Sequence, residues 1–233
     1  MTRVFKNKLS NLMNFYDVVV VDTCSIQGYF GNSHPSTLNG LNEKIEASGE
    51  FLRSLSYWKS FFEEYGGRKL FVSEGILDEL KIGHLNKPYF KIPKRKKNTL
   101  RDKKGFLIES SLRQYEGMAK SSWRRTKDLV STIENRGAIL KLNEIERGVH
   151  SELYIENEFL REILKIPLSP EDYDFLISGV VISQTRGKTG IISNDCGINL
   201  AWRKIVTKYP VLNCKLDFYF REKVDLFKFK SVF

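Results

Sequence analysis

Four acidic residues stand where a carboxylate can do more than keep a surface wet. Asp22 ends the apolar run Val18-Val-Val-Val. Asp195 follows Gly190-Ile-Ile-Ser193-Asn194, Glu79 lies shortly after Val72, and Asp174 sits near the start of a segment opened by Ser169-Pro170. Each has an ordinary structural role available: a turn former, a partner of a helix dipole, or plain surface. Gathered within a few ångströms, however, such groups repel one another and take up protons unless cations neutralise them. An all-oxygen donor set suits Mg²⁺ or Mn²⁺.

The elements that must position these acids are legible from patterning. Phe15 to Asp22, with its valine run, reads as a strand buried on both faces, as in a parallel sheet. Leu41 to Tyr65 has helical spacing of apolar residues and is stopped by Gly66-Gly67. A strand is expected at Lys69 to Val72, followed by a helix over Glu74 to Ile82 capped by Ser73. Further on, Gly105 to Glu134 suits one or two helices, Ala138 to Leu142 a strand, and Val149 to Leu164 a helix. Ser169-Pro-Glu-Asp starts a helix running to about Arg186. A strand at Gly190 to Ser193, a helix at Cys196 to Lys208 and a strand at Lys215 to Phe220 complete the order. This alternation argues an α/β sandwich around a mostly parallel sheet. Such sheets place their ligand site at the carboxyl ends of the strands, the edge where all four acids fall.

The chain of 233 residues is 41% hydrophobic, enough for one ordinary core. Its net charge of +10 makes a polyanion a serious partner. Residues 81–130 hold 15 Lys or Arg against four acids, a local charge of +11, which leaves −1 for everything else. The candidate nucleic-acid contacts are Lys87, Lys91, Lys94, Arg95, Lys96, Lys97, Arg101, Lys103, Lys104, Arg124 and Arg125. Pro88, Tyr89, Phe90 and Pro93 interleave with the first of these, offering stacking faces and disfavouring regular helix. A solvated loop is the plainer reading of the same residues. Cys24, Cys196 and Cys214 form neither a disulfide framework nor a zinc motif, and the longest strongly apolar run is far too short to span a bilayer. A soluble, cytoplasmic protein with no membrane partner is expected.

The acid-bearing segments also carry a family resemblance. Val-Val-Val-Val-Asp22-Thr23-Cys24-Ser25 resembles the opening strand motif of PIN-domain nucleases, and Val72-Ser-Glu-Gly-Ile-Leu-Asp-Glu79-Leu80 is similar to their second. Leu168-Ser-Pro-Glu-Asp-Tyr-Asp174-Phe-Leu-Ile-Ser resembles the third, and Gly190-Ile-Ile-Ser193-Asn194-Asp195 the fourth, all in the family's order. The resemblance implies a three-layer α/β/α sandwich over residues 1–233, a single PIN-like domain with a basic, partly helical insertion at about 83–135. It implies a ribonuclease in which Asp22, Glu79, Asp174 and Asp195 are catalytic and bind one or two Mg²⁺ or Mn²⁺ ions. Thr23, Ser193 and Asn194 would orient those carboxylates or contact substrate. The implied reaction is endonucleolytic hydrolysis of single-stranded or structured RNA, leaving 5′-phosphates. Glu171 and Asp172 stand close to Asp174, and Glu74 and Asp78 close to Glu79, so each group offers more than one acid as ligand. Relatives often form homodimers, whereas the extra length over the compact toxin members argues against an antitoxin partner. The alternative is an RNA- or ribonucleoprotein-binding PIN-like protein with weak or no nuclease activity.

The remaining conspicuous residues have plainer readings. His34, His84 and His150 are dispersed and suggest no hydrolase triad. Cys24 and Cys196 read as small neighbours of the acids, and Trp58, Trp123 and Trp202 as core. Gly187-Lys-Thr-Gly190 lacks the spacing of a phosphate loop.

Overall fold

Four consecutive valines occupy the middle of the sheet. In the computed structural model, which describes residues 11–27, 41–86, 109–164, 168–193, 195, 197, 198, 200, 201, 203, 204 and 216–219, strand β1 (Val18–Val21) is buried along its whole length. β2 (Leu70–Phe71) pairs with one edge of β1, aligning Val19 with Leu70. β3 (Thr189–Ile192) pairs with the other edge from Val18↔Thr189 to Val21↔Ile192, and β4 (Leu216–Tyr219) lies outside β3. The order is β2-β1-β3-β4, and all three pairings are parallel. The chain leaves β1 toward β2 and later returns on the far side, so a topological switch point lies at the carboxyl end of β1. β-Branched residues packed on both faces are what such a strand requires.

Most of the described chain is helical: α1 (Thr23–Gln27), α2 (Leu41–Tyr65), α3 (Glu74–Leu80), α4 (Glu109–Asn135), α5 (Glu144–Leu164) and α6 (Pro170–Thr185). A π-helical turn, Lys81–Asn86, extends α3. The fold is thus mixed α/β, mostly helical, around a small parallel sheet. α2 buries Phe51, Leu55, Trp58, Phe61 and Phe62 at helical spacing, and its neighbour α4 buries Tyr115, Leu129, Val130 and Ile133. The second half of the expected basic insertion is therefore a single long helix whose apolar stripe belongs to the core. α6 is buried almost all round from Phe175 to Ser183, as suits an internal helix. After α2, Gly67 has φ +73°, and a Cβ there would lie 1.9 Å from the Arg136 carbonyl oxygen, so only glycine fits this crossing.

Some expectations need correction. Ala138 to Leu142 is no strand; Ile139 makes a single bridge to Val72. Its partner strand is only two residues long, and Ser73 already caps α3 by accepting a bond from Ile76 N, which ends the ladder. α5 starts at Glu144 rather than Val149, because Asn143 and Glu146 form a reciprocal cap in which each backbone N–H reaches the other's side chain (2.8 and 2.9 Å). Trp58 is buried, but Trp123 is 40% exposed and not core. Trp202, the strand residues flanking β4, and most of the expected helix from Cys196 to Lys208 lie outside the described residues. No described helix is long and apolar enough to cross a membrane.

Candidate functional site

Asp22 is placed by the register of β1 on β3. Its N–H donates to the Ile192 carbonyl at 3.0 Å, and its own carbonyl receives Ser25 and Ile26 N–H as α1 begins. Its side chain accepts hydrogen bonds on Oδ2 from Ser193 Oγ (2.7 Å) and Cys24 Sγ (2.5 Å). The residue is 5% exposed. Burial pushes its pKa up to about 6; the two hydrogen bonds oppose the rise, and the charges of Asp172 and Glu79 add to it. α1 is held over the sheet by Trp58 Nε1 donating to the Ser25 carbonyl (3.0 Å), Ser54 Oγ to that of Ile26 (2.7 Å), and Ser25 Oγ to that of Ile192 (3.2 Å). The largest buried aromatic thus anchors the turn that carries Thr23 and Cys24.

The other acids arrive from three further elements. Glu79, on α3, accepts a short hydrogen bond from Thr23 Oγ1. Desolvation raises its pKa, the Thr23 bond opposes this, and Asp172 and Glu171 push it higher. Asp172 sits in the first turn of α6, its backbone N–H and carboxylate both engaging the capping Ser169 hydroxyl (3.1 and 3.0 Å). Burial raises its pKa, with Ser169 opposing and the charges of Asp195 and Glu171 adding. Asp195 N–H donates to Ser193 Oγ (3.0 Å), and its Oδ1 accepts from Gly197 N–H (2.5 Å) where a helical stretch begins. Ser193 therefore bridges Asp22 to the backbone of Asp195. Among the described residues, no Lys or Arg pairs with Asp22, Glu79, Asp172 or Asp195.

Asp174 does not join them. Its side chain is 51% exposed and meets His150 Nε2 at 3.2 Å, which helps raise the histidine's pKa. Two positions along a helix is more than half a turn, so Asp172 and Asp174 face nearly opposite ways. Of the two, Asp172 is the one whose charge acts on Asp22 and Glu79. The signal was present in the Ser169-Pro-Glu-Asp172 cap, which folds the Asp172 carboxylate back over the helix start. Arg125 is also committed elsewhere: Nη1 donates to the Leu52 carbonyl (2.8 Å) and Ser56 Oγ (2.7 Å), fastening α4 to α2. Arg124 is exposed. Asn194 and the cations from Lys87 to Lys104 lie outside the described residues.

Among the described residues, no three His, Cys, Asp or Glu side chains stand close enough together to hold a metal ion. The acids feel one another's charge without forming a ready-made coordination shell. The chain matches no protein-family model, no curated protein and no solved structure. The site must therefore be argued from its own chemistry. Four carboxylates from four elements act on one another's charge at this edge of the sheet, and the buried one, Asp22, has its pKa raised to about 6.

Proposed function

We propose that the protein is a PIN-like, metal-dependent endoribonuclease whose reaction centre lies at the carboxyl edge of β1 and β3. The observation that carries this reading is Asp22, a buried carboxylate facing the charges of Glu79 and Asp172 with no described cation to offset them. A three-layer α/β/α arrangement around the parallel sheet is part of the same proposal. The donor set is all oxygen and fits Mg²⁺ or Mn²⁺ in kind, with Asp22, Glu79, Asp172 and Asp195 as the residues that would hold it. When bound, such an ion supplies charge neutralisation for the carboxylates, a lowered pKa for water, and stabilisation of the anionic phosphoryl group. The chain's own part is to orient: Ser193 and Cys24 fix the Asp22 carboxylate, Thr23 fixes Glu79, and Ser169 fixes Asp172. The net charge of +10 supports RNA as substrate.

The same net charge of +10 also fits a second reading, an RNA-binding protein with weak or no cleavage. A labelled-RNA assay with and without Mn²⁺, using Asp22→Asn and Asp195→Asn, separates them. Cation-dependent cutting lost in both variants supports the nuclease. RNA retention without cutting, or cutting indifferent to both changes, supports the alternative.

A further inference from the structure

The outer side of α4 holds a feature the acid cluster does not use. Lys120, Trp123, Arg124 and Lys127 follow at i, i+3, i+4 and i+7, a spacing that lines them along one stripe about 10 Å long. All four are exposed, while Tyr115, Leu129 and Ile133 on the inner face are buried. The Trp123 ring is tethered: Nε1 donates to the Leu85 carbonyl at 3.2 Å, fixing the indole against the π-helical turn. Lys127 Nζ lies 5.6 Å from the ring centroid. A large aromatic face, held in place and flanked by cations, is the arrangement that stacks an unpaired base and contacts the phosphates beside it.

We propose that this stripe docks single-stranded nucleic acid, with an unpaired base on Trp123 and flanking phosphates on Lys120, Arg124 and Lys127. The proposal rests on the reading of RNA as the partner and narrows it to unpaired strands. Charge decides the occupant: three cations surround Trp123, with the acids Glu116 and Asp128 one turn beyond Lys120 and Arg124, within a segment of +11 in a chain otherwise at −1.

The test uses the full chain in EDTA, where no cation-dependent cutting interferes, and follows the anisotropy of a labelled oligouridylate and of an RNA duplex. Trp123→Ala is expected to weaken single-strand binding about tenfold and to leave duplex binding nearly unchanged. Trp123→Phe, which loses the bond to Leu85 but keeps a stacking face, should recover most of that affinity. Replacing Lys120, Arg124 and Lys127 together by Ala should flatten the log–log salt dependence by about 2. The proposal is overturned if the phenylalanine variant binds as weakly as the alanine one, since the ring would then serve only to hold Leu85. It is equally overturned by unchanged binding in all variants, by equal loss for duplex, or by polyglutamate competing as well as oligouridylate, which would mark an acidic protein as the partner. Mn²⁺-dependent cleavage with variant-insensitive binding removes this surface and leaves the nuclease reading intact. Trp123-dependent binding without cleavage does the reverse.

Discussion

Asp22 and Glu146 are both buried carboxylates, 5% and 1% exposed, and the protein treats them in opposite ways. Glu146, near the start of α5, receives Arg186 Nε and Nη2 at 2.7 and 2.6 Å, Thr185 Oγ1 at 2.8 Å and Asn143 N–H at 2.8 Å. Chiefly through the Arg186 hydrogen bonds, against the cost of burial, its pKa falls to about 2. Among the described residues Asp22 has a hydroxyl and a thiol as donors to its side chain; it faces other acids and rises to about 6. One acid is fully compensated by its own chain and ties α5 to the end of α6. The other has no cation beside it among the described residues. An uncompensated acid at a sheet's carboxyl edge is what the proposed function draws on.

The sharpest way to break this contrast is Asp22→Asn. Under the proposed function it lowers cation-dependent cleavage by on the order of 10²–10³-fold, yet in EDTA it stabilises the fold by about 1–2 kcal/mol, because a buried repelled charge disappears. Cleavage kinetics and chemical denaturation of the same preparation measure both, and a destabilised variant would mean that Asp22 is structural after all. Glu146→Ala should do the converse, costing roughly 3 kcal/mol in denaturant midpoint analysis by orphaning Arg186, while the surviving folded molecules keep their RNA affinity. Ser193→Ala removes the hydroxyl donor to Asp22 and should weaken Mn²⁺ affinity about tenfold in calorimetry, with little change in unfolding.

Proton linkage sharpens the comparison further. The raised Asp22 costs nothing below its unfolded value near 4, and stability is lost as pH climbs through about 6. The depressed Glu146 contributes in full above its unfolded value of 4.5, and that contribution is lost as pH falls toward about 2. In EDTA the two together make Asp22 a destabilising slope from about pH 4 to 6 and Glu146 a stabilising one below it. Saturating Mn²⁺ should reverse the upper slope, since the ion binds the deprotonated acid. Thermal midpoints across pH 3 to 7, with and without the ion, test this, and identical curves would argue against a cation at Asp22. The smallest effect belongs to Arg125→Ala, about 1 kcal/mol lost from α2–α4 docking and almost no change in RNA binding, because its guanidinium already serves Leu52 and Ser56.

These contrasts were unevenly visible in the sequence. The valine run and the Gly66-Gly67 stop mark β1 and α2 because burial and chain reversal leave direct compositional signatures. Ala138 to Leu142 looks equally strand-like, but pairing depends on how far a distant neighbour extends, and β2 stops after two residues. The acid cluster was legible as strand ends, whereas the choice between Asp172 and Asp174 turned on helical phase, which a motif by itself does not report. Trp123 shows the same limit: an apolar ring at core-like spacing faces solvent once its neighbour α2 has been satisfied by Tyr115, Leu129 and Ile133.

The hydrogen bond from Ser193 to Asp22 spans 171 positions of the chain. A polypeptide emerging from the ribosome carries Asp22, Thr23 and Glu79 long before it carries the segment that completes their surroundings. Until β3 slots in beside β1, Asp22 lacks its hydroxyl partner, so the arrangement of these acids is completed only after 171 further residues have been made.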